Sequence, residues 1–210
     1  MANRPVFSPV DHRPFYAAVG VDFGFHPGFA VVQKQKNITA LHSAYKEKNG
    51  GNVLEISTKS LQPDGVKLSA FNLTKYVSSL DKRIPVECIY QGSKVFEGGG
   101  PYTDLYLKTP REAKRDPRLT GSGRLVSFRY EGREYDSEPS HCFYDWLYIQ
   151  ALAENPEIAR CLTGYDAFTD IEFNPNRSIN CQARAAAIYA ALCGGEIVTE
   201  SFDHFRELFV

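Results

Sequence analysis

Four polar side chains in the stretch VECIYQGSKVFEGGG are of types that can act together in catalysis: Glu87, Tyr90, Gln91 and Lys94. If Val86–Glu97 form a helix, the last three follow Glu87 at helical spacing and share its face. A carboxylate can move protons, and a desolvated lysine can act as a nucleophile. The alternative interpretation is an exposed polar face, in which Glu87 and Lys94 are too far apart for the favoured i,i+4 pair.

The sequence predicts clear ends for the helix that would carry these side chains. Pro85 suits the first turn, and Gly98-Gly99-Gly100-Pro101 stops the helix abruptly. The glycines predict a helix C-cap, and close backbone approach to a phosphate is the functional alternative. The two interpretations are compatible, because a glycine turn beside the Glu87 face would lie at the rim of a cleft.

Further polar residues lie within apolar stretches. KLSAFNL, predicted to be extended, contains Ser69 and Asn72, and DAFTDIEF, predicted to be a strand, places Asp170 and Glu172 on one face. Two such carboxylates can hold ribose hydroxyls, and a solvated outer face is the alternative. Trp146, the only tryptophan, lies in an aromatic helix, where it either packs in the core or stacks on a base.

Composition excludes several classes of protein. The 210 residues carry a formal net charge of -1 and are 43% hydrophobic, so a folded core is expected and a strongly basic nucleic-acid binder is not. Five scattered cysteines and five histidines form no metal-ligand motif, so we expect reduced thiols, a cytoplasmic protein, and neither metal nor cofactor. No apolar run is long enough to span a membrane, and the start lacks a signal peptide.

The order of the predicted elements favours an α+β fold with several helices around a small sheet. FYAAVGVDFGFHPGFAVVQKQ predicts strands broken at HPG, and NITALHSAYKEK predicts a helix capped by Asn37 and ended by NGGN. A hairpin is predicted around EGRE, and helical turns follow the glycines of the first stretch. A late alanine-rich helix is predicted to end at Gly194-Gly195.

Three stretches carry a resemblance to a known family: VKLSAFNL, VECIYQGSKVFEGGGPYTDLYLKTPREAKRDPRL and FYDWLYIQALAENPEIARCLTGYDAFTDIEFNPNRSINCQAR. They resemble the NADAR, or YbiA-like, family, and more closely its branch encoded beside DarT-type DNA ADP-ribosyltransferase toxins. The family helix motif EHYFQAQKA corresponds to ECIYQGSKV here, with Glu87, Tyr90, Gln91 and Lys94 at matching positions. Cys88 stands where the family usually has histidine.

The resemblance implies a helix-rich YbiA-like single domain with a small sheet and an N-terminal strand extension. We expect residues 1–52 to form that extension and residues 53–210 the catalytic domain. It also implies an ADP-ribosyl-guanine hydrolase that removes ADP-ribose from guanine in DNA and counteracts a DarT-type toxin. The expected partners are ADP-ribosylated DNA, ADP-ribose as product and the toxin. A small ribosylated metabolite as substrate, toxin binding without catalysis, and an inert ADP-ribose reader remain open.

The residue types suggest two mechanisms. Lys94 can displace the guanine amine as a Schiff base while Glu87 transfers protons. Alternatively, Glu87 acts with Asp170 or Glu172 on an oxocarbenium-like state, and Lys94 binds phosphate or ribose. The predicted catalytic residues are Glu87 and Lys94. The predicted substrate-binding residues are Ser69, Asn72, Tyr90, Gln91, Arg111, Lys114, Trp146, Asp170 and Glu172, with Arg111 and Lys114 as the better candidates for the pyrophosphate.

Overall fold

The computed structural model describes residues 1–174, 181–192 and 201–208, and it shows an α+β fold. The strands are β1 Ala2–Pro9, β2 Tyr16–Phe23, β3 Val53–Glu55, β4 Thr74–Val77, β5 Lys82–Pro85, β6 Lys94–Phe96, β7 Leu125–Tyr130, β8 Arg133–Asp136 and β9 Ala167–Thr169. The helices are α1 Val31–Asn49, α2 Pro63–Leu68, α3 Val86–Gly92, α4 Pro110–Lys114, α5 Arg118–Gly121, α6 Cys142–Ala153, α7 Pro156–Ala159, α8 Gln182–Ala191 and α9 Phe202–Glu207.

The described strands form three small sheets. The largest has the order β2-β1-β9-β3, in which β3 runs parallel to β9 and the other neighbours are antiparallel. β4 pairs with β5, and β6-β7-β8 form an antiparallel sheet that contains the predicted hairpin at Glu131-Gly132. The α+β prediction is confirmed, although the chain has several small sheets where one was expected. The division at residue 52 stays a prediction.

The helix predicted over Val86–Glu97 is wrong in its second half. α3 ends at Gly92, and Lys94 begins β6, where it pairs with Phe128 of β7. The apolar Val95 and Phe96 enter this antiparallel ladder because pairing with a distant strand outweighs local helix propensity. The polar face of α3 is also not exposed, since every residue from Val86 to Gly92 is buried.

Two stretches that were predicted to be extended are helical, at least in part. FAVVQKQ enters α1 at Val31, so Asn37 is not a cap. Its buried side chain instead accepts from the backbone N–H of His26 and donates to its carbonyl. GVKLSAFNL falls partly in α2, which Pro63 opens in its first turn. α1 ends at Asn49 as predicted, with Gly50 after it.

The strand predicted through DAFTDIEF ends at Thr169, so Asp170 and Glu172 do not share a strand face. Asp170 Oδ1 accepts from the backbone N–H groups of Glu172 and Phe173, which turns the chain away from the sheet. The side chain of Glu172 is exposed and forms an ion pair with Lys34 of α1 at 3.2 Å. The expected pair of carboxylates is therefore absent.

The aromatic core surrounds α6, which is buried on nearly every side. Phe143 stacks on Phe128 at 4.3 Å between ring centroids, and Asp145 binds Arg184 of α8 through paired hydrogen bonds. These contacts hold α6 against β7 and α8. Of the described helices, none is long and apolar enough to cross a membrane. The predicted helix end at Gly194-Gly195 lies outside the described residues.

Candidate functional site

Gln91 lies between the carboxylate of Glu87 and the amine of Lys94. Its Nε2 donates to Glu87 Oε1 at 2.9 Å, and its Oε1 accepts from Lys94 Nζ at 2.7 Å. A carboxamide offers a donor and an acceptor at once, so it connects the acid to the amine without a direct ion pair between them. Glu87 and Gln91 are only 5% and 7% exposed. The predicted acid and amine therefore converge, although Lys94 reaches the site from a strand.

Lys94 is half-buried, with Nζ 4.5 Å from the centroid of the Tyr90 ring. Burial lowers the pKa of Lys94 to about 8, while Glu87 opposes this shift and Lys114 adds to it. With such a pKa, roughly a quarter of the amine is neutral at about pH 7.5, against about one part in a thousand at the ordinary value. Burial therefore leaves a larger share of this amine unprotonated near neutral pH than in an exposed lysine.

Lys114 of α4 closes the site on its solvent side. Its Nζ lies 3.6 Å from Glu87 Oε1 and 5.4 Å from the centroid of the Phe71 ring. The lysine is exposed and the Phe71 ring is half-buried, so both are accessible from outside. As a second cation beside Glu87, Lys114 partly offsets the upward effect of this carboxylate on the pKa of Lys94.

Asp170 is linked to Glu87 through Gln182 and the backbone of Ala70. Gln182 Nε2 donates to Asp170 Oδ2 at 3.0 Å, and its Oε1 accepts from the Ala70 N–H at 2.8 Å. The Ala70 carbonyl in turn accepts from the Glu87 N–H at 2.9 Å. One side chain of α8 thus sets the position of Asp170 relative to the first turn of α3.

A buried acid supports Asp170 from the sheet. Glu55, 1% exposed, accepts from Thr169 Oγ1 at 2.6 Å and from the Ile171 N–H at 2.9 Å. Since the Thr169 hydroxyl donates to Glu55, its oxygen accepts from His42 Nε2 at 2.8 Å. Burial raises the pKa of both Glu55 and Asp170, and in Asp170 the charge of Glu55 adds to the effect.

The glycine turn after β6 explains how Lys94 is held. Gly99 bridges back to Phe96, and a Cβ on Gly100, whose φ is +94°, would lie 2.3 Å from the Lys94 carbonyl oxygen. The prediction of a helix C-cap is wrong, because the glycines follow a strand. Their role in the fold is close packing against the backbone of Lys94.

Two aromatic residues that were predicted to bind the substrate, Tyr90 and Trp146, are packed against other aromatic side chains. Tyr90, 5% exposed, packs against Phe128 and Tyr144 beneath Lys94, and its ring supports the amine without presenting a free face to a base. Trp146 packs with Tyr135 and Phe202, so its surroundings match core packing.

The remaining predicted residues divide between the site and its surroundings. Ser69 is buried and ends α2 one residue before Ala70, so it belongs to the backbone connection to Glu87. Asn72 is exposed, with Nδ2 bound to the Val66 carbonyl. Arg111 is exposed on α4, one turn before Lys114. The binding roles of these residues stay predictions.

Sequence reasoning did not identify Phe71, Gln182, Glu55 or Tyr144. Phe71 lies within the KLSAFNL stretch and was the only aromatic residue there, which was a usable signal. Tyr144 is buried against Tyr90, and burial together with the charges of Glu87 and Asp170 raises its pKa far above the ordinary value. Gln182 and Glu55 act through contacts more than 100 residues away in sequence.

Comparison with known proteins identifies one family. The family model described as NADAR-DarT1, the DarT1-associated NADAR antitoxin, matches residues 2–210. No curated protein matches the chain. Among the described residues, no group of three or more His, Cys, Asp or Glu side chains could hold a metal ion.

Proposed function

Since the chain belongs to the DarT1-associated NADAR antitoxin family, we propose that it acts as an antitoxin by hydrolysing the N-glycosidic bond between ADP-ribose and guanine in DNA. The antitoxin role follows from the family. The reaction, the DNA substrate and the roles of individual residues are the proposal. A DarT-type toxin is the proposed source of the modified guanine.

The observation that carries this proposal is the hydrogen-bonded row Glu87–Gln91–Lys94. A buried carboxylate and a desolvated amine lie on the two sides of one carboxamide. Structural ion pairs normally place opposite charges in direct contact and so keep lysine protonated. Here Gln91 separates the two groups, and burial favours the neutral amine of Lys94. This arrangement suits nucleophilic catalysis with an acid–base group at hand.

The proposed reaction begins when the glycosylamine ring opens to an imine at the anomeric carbon. The neutral Lys94 amine adds to that carbon, and the guanine amine leaves as its C–N bond breaks and a proton is delivered to it. Glu87 is placed to carry this proton. The resulting Schiff base joins Lys94 to the sugar, and water adds to its carbon with Glu87 taking the proton. Cleavage of the lysine C–N bond then frees ADP-ribose.

The Tyr90 ring and Asp170 have supporting roles in this proposal. A protonated Schiff base is a cation, and the ring beneath Lys94 Nζ stabilises such a charge. Asp170, whose carboxylate accepts a hydrogen bond from Gln182, binds ribose hydroxyls. Lys114 and Arg111 bind the pyrophosphate, and the half-buried Phe71 provides the aromatic surface for a base.

A non-covalent route uses the same site differently. Glu87 would protonate the leaving group, Asp170 would stabilise an oxocarbenium-like state, and Lys94 would only bind the substrate. Glu172 does not take part in this alternative, because its carboxylate pairs with Lys34 outside the site. The low pKa of Lys94 favours the covalent route, since a purely electrostatic lysine gains nothing from losing its proton.

A second function, toxin neutralisation by binding alone, is favoured by one observation. Large apolar side chains are exposed around the start of α1, with Phe29 99% exposed and Phe25 and Val32 about half exposed. Such a patch is typical of protein interaction surfaces. Binding alone would leave protection from the toxin independent of Glu87, so one substitution separates the two functions.

The experiment is the incubation of the wild type and Glu87→Gln with an oligonucleotide that carries one ADP-ribosylated guanine. We expect the wild type to release ADP-ribose and restore unmodified DNA, both identified by mass. General acid–base groups supply about 10²–10⁴-fold in rate, so Glu87→Gln should lose a factor of that order. Glu157→Gln, on an exposed residue of α7, is the matched control. A folded Glu87→Gln protein with wild-type turnover would reject the assignment.

A further inference from the structure

A second surface, beside the site, carries an excess of positive charge. Lys108, Arg111 and Arg115 are exposed along the segment that leads into and out of α4. They line an open groove of about 410 Å³ together with Glu112, Asp116 and Pro117. Within the part of the chain that the structure describes, no carboxylate forms an ion pair with any of these three cations.

The two acids of this groove are bound to other groups. Glu112 Oε2 accepts from the N–H and hydroxyl of Thr109 in a capping box, and Asp116 forms an ion pair with Arg118 at 2.8 Å. Both carboxylates thus already accept hydrogen bonds from groups other than these three cations, which leaves the cations free to attract an external anion. The whole chain has a net charge of -1, so this positive surface is local.

The groove is joined to the candidate site by two contacts. Lys114 of the same helix reaches Glu87 at 3.6 Å. Cys88, the residue after Glu87, donates through Sγ to the Lys108 carbonyl at 3.3 Å. On a helix, Arg111 lies between Lys114 and Arg115, so the positive charge continues outward from the mouth of the site.

We propose that Lys108 and Arg115 bind the phosphodiester backbone of the DNA strand that carries the modified guanine. This inference rests on the proposed function. Lys114, which reaches Glu87, and Arg111, one turn before it on α4, bind the pyrophosphate of the ADP-ribose, and the outer pair binds phosphates flanking the target base. Phosphate contacts position a strand without reading its sequence. Two outer cations therefore favour a modified strand over a free modified nucleoside.

The test uses the double variant Lys108→Ala/Arg115→Ala with two substrates. One is a single-stranded oligonucleotide with one ADP-ribosylated guanine, and the other is ADP-ribosylated guanosine, which has no flanking phosphates. The logarithm of the binding constant falls with the logarithm of the salt concentration, and each phosphate contact on a single strand contributes about 0.7 to this slope. Two contacts therefore contribute roughly 1.4 to the slope, which corresponds to an affinity gain on the order of tenfold at about 0.1 M salt. We expect KM for the oligonucleotide to rise about tenfold with kcat unchanged. Turnover of the guanosine substrate should not change.

The matched control is Lys46→Ala/Lys48→Ala, which removes two exposed cations from the last turn of α1. A KM and salt dependence equal to those of the wild type in Lys108→Ala/Arg115→Ala would overturn the proposed surface while leaving the hydrolase intact. Equal losses on both substrates would overturn it as well, because they would show damage to the site itself.

Fluorescence anisotropy of the unmodified single strand separates this proposal from the proposed function. If the wild type hydrolyses neither substrate, the proposed function fails. Weaker, less salt-dependent strand binding by Lys108→Ala/Arg115→Ala would still support the surface. Unchanged strand binding would reject the surface as well.

Discussion

The substitution Gln91→Glu tests how the site keeps Lys94 neutral. It replaces the carboxamide oxygen, 2.7 Å from Lys94 Nζ, with a carboxylate oxygen. An opposite charge at such a distance raises the pKa of a lysine by about 1–3 units, from the present value of about 8. The neutral fraction of the amine at about pH 7.5 then falls roughly 10- to 1000-fold. Because only the neutral amine attacks, kcat/KM should fall by the same factor.

The assay is the pH dependence of kcat/KM from about pH 6 to about pH 10, with ADP-ribosylated guanosine as substrate. Activity requires loss of a proton from Lys94, so the wild-type rate should rise about tenfold per pH unit and level off above pH 8, the pKa of the amine. In Gln91→Glu the same limb should move to higher pH, and alkaline buffer should restore much of the activity. Circular dichroism establishes that the variant is folded.

Gln91→Met is the control for the loss of the carboxamide itself. It removes the hydrogen bonds to both Glu87 and Lys94 but adds no charge, so its ascending limb should stay near that of the wild type. A Gln91→Glu profile that coincides with the wild type, or one lowered equally at every pH, would refute the argument. It would show that the protonation of Lys94 does not limit the reaction.

Two further substitutions test the surroundings of the site. Phe71→Ala should raise KM roughly 5- to 150-fold with little change in melting temperature, because base–aromatic stacking contributes about 1–3 kcal/mol; an unchanged KM would remove Phe71 from the site. Gly100→Ala places a Cβ 2.3 Å from the Lys94 carbonyl oxygen at a φ of +94°. We therefore expect the free energy of unfolding to fall by about 2 kcal/mol, the Tm to fall by about 4–8 °C, and the activity to be lower. Gly121→Ala, which meets nothing within 4 Å, is its control, and equal melting temperatures for the two variants would contradict the packing argument.

The residue types of the site were predictable from the sequence, but their geometry was only partly so. Helical spacing correctly placed Glu87 and Gln91 one turn apart, where they form a direct hydrogen bond. The same spacing placed Lys94 two turns along a helix that ends at Gly92. Its pairing with Phe128 joins two distant stretches, and no local pattern indicates such a partner.

The turn at Asp170 shows a second limit. Alternation in DAFTDIEF predicted a strand with two carboxylates on one face, yet the Asp170 side chain binds the backbone that follows it and ends the strand. Asp frequently forms such turns, so this outcome had a local signal. The link through Gln182 had none, because it depends on Ala70, a residue 112 positions away in sequence.

The fold class was predictable for a different reason. Glycine in NGGN marks the end of a helix and glycine in EGRE marks a hairpin turn, and both features appear in the structure. The start of α1 was mispredicted, since Val31 and Val32 favour strands locally. Packing of Ile38 and Leu41 in the core with β2 residues Val21 and Phe23 outweighs that preference.

The most direct test of the proposed reaction is borohydride reduction during turnover of an oligonucleotide bearing ADP-ribosylated guanine, followed by peptide mass analysis. A Schiff base at Lys94 would be reduced to a stable secondary amine, so we predict that the peptide containing Lys94 gains the mass of the reduced ADP-ribose adduct. Lys94→Arg keeps the charge but cannot form the adduct, and it should lose trapping and hydrolysis together. Rapid release of ADP-ribose with no adduct on the wild type, together with an active Lys94→Arg variant, would contradict the covalent role of Lys94.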